Sequence, residues 1–297
     1  RLGVYKSAKE FVGWPITPGF EFAGIVKEVG PSVIKYKIGD EVFGLTLFNG
    51  YSEEITAPEH QIFLIPAGWS FAQAAGAPVV FITAYHALLQ NFVLKKEMKI
   101  LIHSAAGGVG CALLQICRIK GCQSIAIVGS SHKIEAAKKF GATYVIDKSK
   151  QDLWQDVEKI AVRGVDIILD ANGPETLKEG LKHLAPCGKL LSYGYHTLLP
   201  KTGGKINYFK ALKGLIKMPR IKIMDLCDQN KSIMAFNLSF LFERHDLLNE
   251  AMADILEWME TGRLHVPIVT TYPFEKVADA HRDIEAGNTV GKLVLIP

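Results

Sequence analysis

The chain of 297 residues has no Cys-x-x-Cys pair, and its five cysteines (Cys111, Cys117, Cys122, Cys187 and Cys227) are an odd number. A complete disulfide framework is therefore not expected, and a reducing, cytoplasmic setting is favoured over secretion. No cysteine lies in residues 1–110, and the nine histidines are scattered. A catalytic zinc in that region, or a four-cysteine structural zinc lobe, would lack its soft ligands, so no metal is expected. The longest apolar runs are strand-sized, short of the roughly 18 residues that cross a bilayer. No signal-peptide pattern is visible at the start. Charge is also sparse in one sense, since the net value is only +4. That mild excess does not by itself imply nucleic acid, and neither an arginine-rich tract nor RNP-like aromatic strands are present.

What charge there is sits in one place. Lys201, Lys205, Lys210, Lys213, Lys217, Arg220 and Lys222 fall in a stretch with no acid. Phe209, Leu212 and Ile216 are spaced i, i+3, i+7, which predicts a short basic amphipathic helix. Residues 201–222 thus read either as a patch for peripheral contact with a membrane or acidic partner, or as a solvated helix face over a cleft.

Present from residue 99 onward is a regular alternation. The runs Lys99–Ala105, Ser124–Gly129, Tyr144–Asp147, Val165–Asp170 and Lys189–Tyr193 read as buried strands. The segments Gly107–Lys120, Ser131–Phe140, about Asp152–Ala161 and Glu175–Leu184 read as helices between them. Continuously apolar strands separated by helices predict a parallel sheet covered on both faces, a doubly wound α/β nucleotide-binding domain of Rossmann type. The flanks differ. Residues 19–66 hold short strands broken by Gly30-Pro31, Gly39-Asp40 and Asn49-Gly50, which predicts irregular antiparallel β structure. The tail from Val266 to Pro297 is also read as β-like. The expected organisation places the Rossmann domain at 80–236, inserted between two pieces of a β-rich domain, 1–79 and 237–297.

The first strand runs into Ala105-Ala106-Gly107-Gly108-Val109-Gly110 and a helix begins there. In that strand–helix context a glycine-rich string predicts a pyrophosphate cradle. Gly107 lets the backbone approach the ligand, Gly110 lets the helix pack closely on the strand, and the helix N-terminus offers free N–H groups. After the second strand come Gly129-Ser130-Ser131-His132-Lys133, with no acid until Glu135. Hydroxyls and an ammonium suit a 2′-phosphate, so NADP(H) is favoured over NAD(H). The competing reading makes Ser131 an N-cap and Lys133 a solvated helix residue.

Pro18-Gly19-Phe20-Glu21-Phe22-Ala23-Gly24, Gly39-Asp40-Glu41-Val42, the AAGGVG loop and Gly291-Lys292-Leu293-Val294 together resemble the medium-chain dehydrogenase/reductase superfamily. Within it the chain is most similar to the zinc-independent, zeta-crystallin-like quinone oxidoreductases. Leu198–Leu241 further resembles the branch of the synaptic vesicle membrane protein homologues. The resemblance implies a GroES-like substrate domain beside the Rossmann domain, a homodimer, and hydride transfer from NADPH to a small quinone or α,β-unsaturated carbonyl. Together with the basic 201–222 segment it also leaves an alternative, an NADPH-binding membrane- or partner-associated scaffold with weak or no catalysis that uses that segment. By the same resemblance Ala106, Gly107, Gly108, Val109 and Gly110 line the pyrophosphate, with Lys133 and Ser130 at the 2′-phosphate. Lys148 falls where relatives carry a tyrosine near the adenosine, and Asn288 lies in the segment closing over the cofactor. Tyr193 and Gly194 end the fifth strand, at the edge where cofactors bind. Tyr5 and Thr83 match hydroxyl residues beside the substrate and the nicotinamide. Phe20 stands where zinc-dependent members have histidine, and the chain begins after the opening strands of its relatives.

Overall fold

A computed structural model describes residues 6–198, 214 and 218–297. The chain divides into two compact units. The first comprises the chain through Thr83 together with Leu238–His281 and Gly291–Pro297, and the second Ala84–Asn237 together with Arg282–Val290. Assigning Arg282–Val290 to the second unit differs from the contiguous 237–297 block read from the sequence.

In the first unit, strands β1 (Glu21–Ile25), β2 (Glu41–Leu45) and β3 (Ile62–Leu64) form an antiparallel sheet, with Glu21 opposite Leu45 and Val42 opposite Leu64. Helix α1 (Phe71–Ala75) starts at a reciprocal cap in which Ser70 accepts from the Gln73 N–H while the Gln73 side chain accepts from the Ser70 N–H. Glu21 accepts from the Val79 N–H at 2.9 Å and pairs with Lys292, tying β1 to helix α2 (Pro78–Tyr85) and to the last strand.

The tail is not purely β. Strands β10 (Val269–Pro273) and β11 (Lys292–Ile296) are parallel, and a helix, Val277–Ala286, lies between them in the chain. A parallel pair cannot be joined by a tight hairpin and needs a long crossover. The sequence carried the signal, since Val277, Ala280 and Ile284 recur at i, i+3, i+7 among polar residues.

The second unit holds a six-stranded parallel sheet in the order β6-β5-β4-β7-β8-β9. Its strands are β4 (Lys99–Ile102), β5 (Gln123–Val128), β6 (Tyr144–Asp147), β7 (Val165–Asp170), β8 (Leu184–Ser192) and β9 (Ser232–Ala235). The helices between them are α3 (Gly108–Lys120), α4 (Ile134–Lys139), α5 (Leu153–Ile160) and α6 (Leu177–Lys182). The alternation read from the sequence is thus present, with β9 as an additional edge strand and β8 extended backwards through a bulge opposite Val165/Ile167. Leu101, Ile125, Ile127, Ile146, Ile168 and Leu190 form one buried cluster with Val157 of α5. Each such side chain contributes about 1.5–3 kcal/mol on burial, which explains why these runs are continuously apolar.

Candidate functional site

The loop after β4 is shaped by its backbone. Ala105 donates to Ile127 O at 3.1 Å, Gly107 donates to Ser104 O at 3.0 Å, and Ser104 takes a left-handed φ of 55°. A Cβ on Gly110 would sit 2.5 Å from Ser104 O and 2.6 Å from Ala105 C, so only glycine lets α3 start this close to the strand. On Gly107 it would meet only Ser104 O, at 3.3 Å, leaving the outer side of the loop open to a ligand. Gly108 and Val109 follow in the first turn, where N–H groups have no intrahelical acceptor and the dipole end is positive. Ala106 is buried beneath them.

At the ends of β5 and β6 the cationic residues come together. Ser130 stands at the N-cap position of a short 3-10 turn, Ser131–Lys133, without a side-chain capping bond, and its hydroxyl lies 3.2 Å from His132 Nδ1. Lys133 Nζ donates to Gly287 O at 2.5 Å, and His132 Nε2 lies 3.0 Å from Asn288 O. The segment carrying Asn288 is therefore fastened to the turn after β5. The Lys148 N–H donates to Val128 O at 3.1 Å, and its Cε approaches Gly129. Burial, and then the Lys148 cation, lower the pKa of Lys133. Two ammonium groups thus share one surface, a place that favours a dianion.

One carboxylate borders this niche that the sequence reading did not weigh. Asp147 stands opposite Val128, accepts from Ser131 Oγ at 2.6 Å and from Ser149 N and Oγ at 2.9 and 2.6 Å. Those bonds, Ser131 first, hold its carboxyl below the usual range. The Ser131 hydroxyl is consequently committed to Asp147, whereas that of Ser130 lies against His132. The run Tyr144–Asp147 ends on an acid at the carboxyl edge, and that was the available signal.

A second carboxylate organises the end of β7. Asp170 is fully buried and accepts from Asn172 N at 2.7 Å, Gly173 N at 2.8 Å and Thr176 Oγ1 at 2.5 Å. Asn172 Oδ1 accepts from Ser104 Oγ at 3.1 Å, linking this turn to the glycine loop. The Tyr193 N–H donates to Asp170 O at 2.9 Å, and burial followed by the Asp170 charge pushes its phenol upward. The Tyr193 ring lies 6.2 Å from that of Phe236, and Gly194 follows against Ala171 O.

His103, at the end of β4, is fully buried, and neither ring nitrogen has a hydrogen-bond partner among the described residues. Burial drives its pKa down to about 4, Asp170 opposing and Lys148 adding to the shift. An unfolded chain takes this proton near the ordinary value of about 6.5. Stability is therefore full above that pH and is lost as pH falls from there towards 4. We expect the group to cost about 2 kcal/mol at pH 5 relative to pH 7.5 in urea denaturation. His103→Leu should flatten that part of the profile, and an unchanged slope in the variant would remove His103 as its source.

Of the two hydroxyls expected beside the substrate, Tyr5 lies outside the described residues. Thr83 is buried in the first unit and gives its proton to Val79 O at 2.6 Å, so it must rotate before it can donate elsewhere. The basic 201–222 segment is likewise outside the described residues except for 214 and 218–222. Among the described residues no cluster of three or more His, Cys, Asp or Glu side chains is placed to hold a metal. Glu21 is engaged by the Lys292 ammonium and the Val79 N–H, while Phe20 packs on Phe48 at 4.7 Å; this donor set does not fit zinc. No helix among the described residues is long and apolar enough to cross a membrane.

Residues 2–88 match the alcohol dehydrogenase GroES-like domain, and residues 140–295 match the family described as zinc-binding dehydrogenase. The chain is 36% identical over 283 residues to the human synaptic vesicle membrane protein VAT-1 homolog, covering 95% of this chain and 72% of that protein. Against the zebrafish (Danio rerio) homolog it is 34% identical and spans 58% of that protein's length. It is 30% identical to human quinone oxidoreductase over 95% of this chain and 80% of that one. The structure of Escherichia coli quinone oxidoreductase complexed with NADPH superposes with a TM-score of 0.81 at 26% identity, covering 96% of this chain and 84% of that one.

Proposed function

Because this chain belongs to the medium-chain dehydrogenase/reductase superfamily, in its zeta-crystallin-like quinone oxidoreductase family, we propose that it is an NADPH-dependent oxidoreductase acting on a quinone or an α,β-unsaturated carbonyl. The observation that carries the reading is the placement of Lys133 and Lys148 after the ends of β5 and β6, where the Asp147 carboxylate is already engaged by Ser131 and Ser149. When bound, NADPH supplies the hydride. The first turn of α3 and Gly107 would hold its pyrophosphate, and Lys133, Lys148 and Ser130 its 2′-phosphate. Asn288, fastened through His132, and Tyr193 with Gly194 would border its length.

The donor set around Glu21 supports that substrate class. With a lysine there in place of a Lewis acid, conjugated acceptors are favoured, because conjugation spreads the developing oxyanion. Thr83, once turned from Val79 O, or Tyr5, would donate to that oxygen. Homodimer assembly and a cytoplasmic setting belong to the same proposal. The test mixes the protein with NADPH and 9,10-phenanthrenequinone or an enone panel and follows the nicotinamide absorbance. Oxidation well above the rate with NADH supports the reading; tight NADPH binding without oxidation of any partner overturns the catalytic part.

A second reading has one specific observation behind it. Ile221, Ile223 and Met224 are 40%, 69% and 70% exposed, at the end of the basic stretch and beside Arg220 and Lys222. Apolar side chains flanked by cations suit an anionic lipid surface. Salt-sensitive sedimentation with phosphatidylserine vesicles, abolished in a Lys210, Lys213 and Lys217→Glu variant, supports a membrane-associated role; no sedimentation removes it.

A further inference from the structure

The five cysteines fall into two chemical classes. Cys111, Cys117 and Cys122 are buried, and burial pushes the Cys111 thiol up to about 12 and those of Cys117 and Cys122 in the same direction, so these three are poor nucleophiles. Cys187 and Cys227 are exposed. Although 40 positions apart in the sequence, they are stitched to one residue: Cys187 N donates to Asn230 O at 2.7 Å, and Asn230 N donates to Cys227 O at 3.1 Å. The reason is topological. The helix Ile223–Gln229 ends with Asn230 in the left-handed region (φ 50°) and Lys231 N donating to Leu226 O, the paired bonds of a Schellman cap. The chain then enters β9, which runs parallel to β8 with Ser232 opposite Lys189. The last turn of that helix is thereby brought to the bulged part of β8 that holds Cys187.

Cys187 itself has a φ of 64°, a conformation that glycine or asparagine tolerates better, at a cost of about 1–2 kcal/mol for other residues. Being exposed, it recovers nothing by packing there. On the other side, Ile223, Met224 and Cys227 lie open on their helix, so little buried contact resists a small shift towards the β8 turn.

We propose that Cys187 and Cys227 are a reversible dithiol–disulfide pair, oxidised by low-molecular-weight disulfides of the oxidised-glutathione class. The Cys227 thiolate attacks one sulfur of RSSR, forming a mixed disulfide and releasing RS⁻. The Cys187 thiolate then attacks the Cys227 sulfur, closing the protein disulfide and releasing the second RS⁻. The two thiols lose two protons and two electrons, and RSSR is reduced to two RSH. Closure fastens the helix that follows the basic segment to β8 of the parallel sheet. It stands independently of the cofactor assignment.

The test incubates the full chain with oxidised glutathione and reads intact mass without reductant, followed by peptide mapping. The expected product is a monomer about 2 Da lighter, restored by dithiothreitol, with peptides containing Cys187 and Cys227 linked. Cys187→Gly, which suits the local backbone, and Cys227→Ser should each stop at a single glutathione adduct of about 305 Da on the remaining cysteine. Two adducts on the unaltered chain with no lighter species, a covalent dimer, a link to a different cysteine, or no modification would each overturn the proposal.

Discussion

Replacing Lys133 by alanine is expected to weaken NADPH binding by roughly 10- to 150-fold, from the 1.5–3 kcal/mol of a lost charge-assisted contact. NADH binding should change by no more than a few-fold. The difference between the two cofactors is the informative quantity, because Lys133 also donates to Gly287 O and its removal loosens that segment for either ligand. Dividing one ratio by the other cancels the shared structural loss. Lys148→Ala should act in the same direction with a smaller effect, since its backbone is held by Val128 whatever the side chain does. Isothermal titration with both cofactors reads all of these. Equal losses for NADPH and NADH in the Lys133 variant would remove it from the 2′-phosphate, and the cofactor assignment with it.

The second large effect concerns two glycines three residues apart that do different work. In Gly110→Ala the added carbon would lie 2.5–2.6 Å from backbone atoms of Ser104 and Ala105, closer than any relaxed contact. Helix α3 must then lift from the loop, at a cost of about 1–3 kcal/mol, with a melting temperature lower by roughly 2–10 °C. Both cofactors should bind poorly because the cradle itself has moved. Gly107→Ala meets a single oxygen at 3.3 Å and has a φ of −77°, so the fold should melt almost as before. Its methyl group would instead stand where the pyrophosphate must approach, and affinity for NADPH and NADH should fall on the order of tenfold or more. Scanning calorimetry with and without nucleotide separates the two outcomes. A Gly110→Ala protein with unaltered melting and affinity would refute the close helix–strand approach on which the cradle depends.

Much of this site was readable in one dimension. The strand runs between Lys99 and Ser192 had to be apolar on both faces to sit inside a covered parallel sheet, so their spacing marked the fold. The glycine loop was recognisable because a strand and a helix bracket it. Lys133 stood out because the position after β5 lacks an acid. Other features were harder to read. The edge strand Ser232–Ala235 is only four residues long, and the i, i+3, i+7 signal of the helix within the tail was overshadowed by the β-rich runs on either side.

The order of elements, the place of the glycine loop and the cationic character after the second strand were properties of the chain itself, because each rests on neighbouring residues and on a period that burial imposes. Which groups are spent on one another was decided only in three dimensions. Lys133 reaches Gly287 across 154 positions, Ser131 gives its hydroxyl to Asp147, Asn172 joins the β7 turn to the glycine loop, and Thr83 turns back on Val79. A hydrogen bond has length and direction but no sequence period, and its partners meet only once sheet register and loop closure have brought them together.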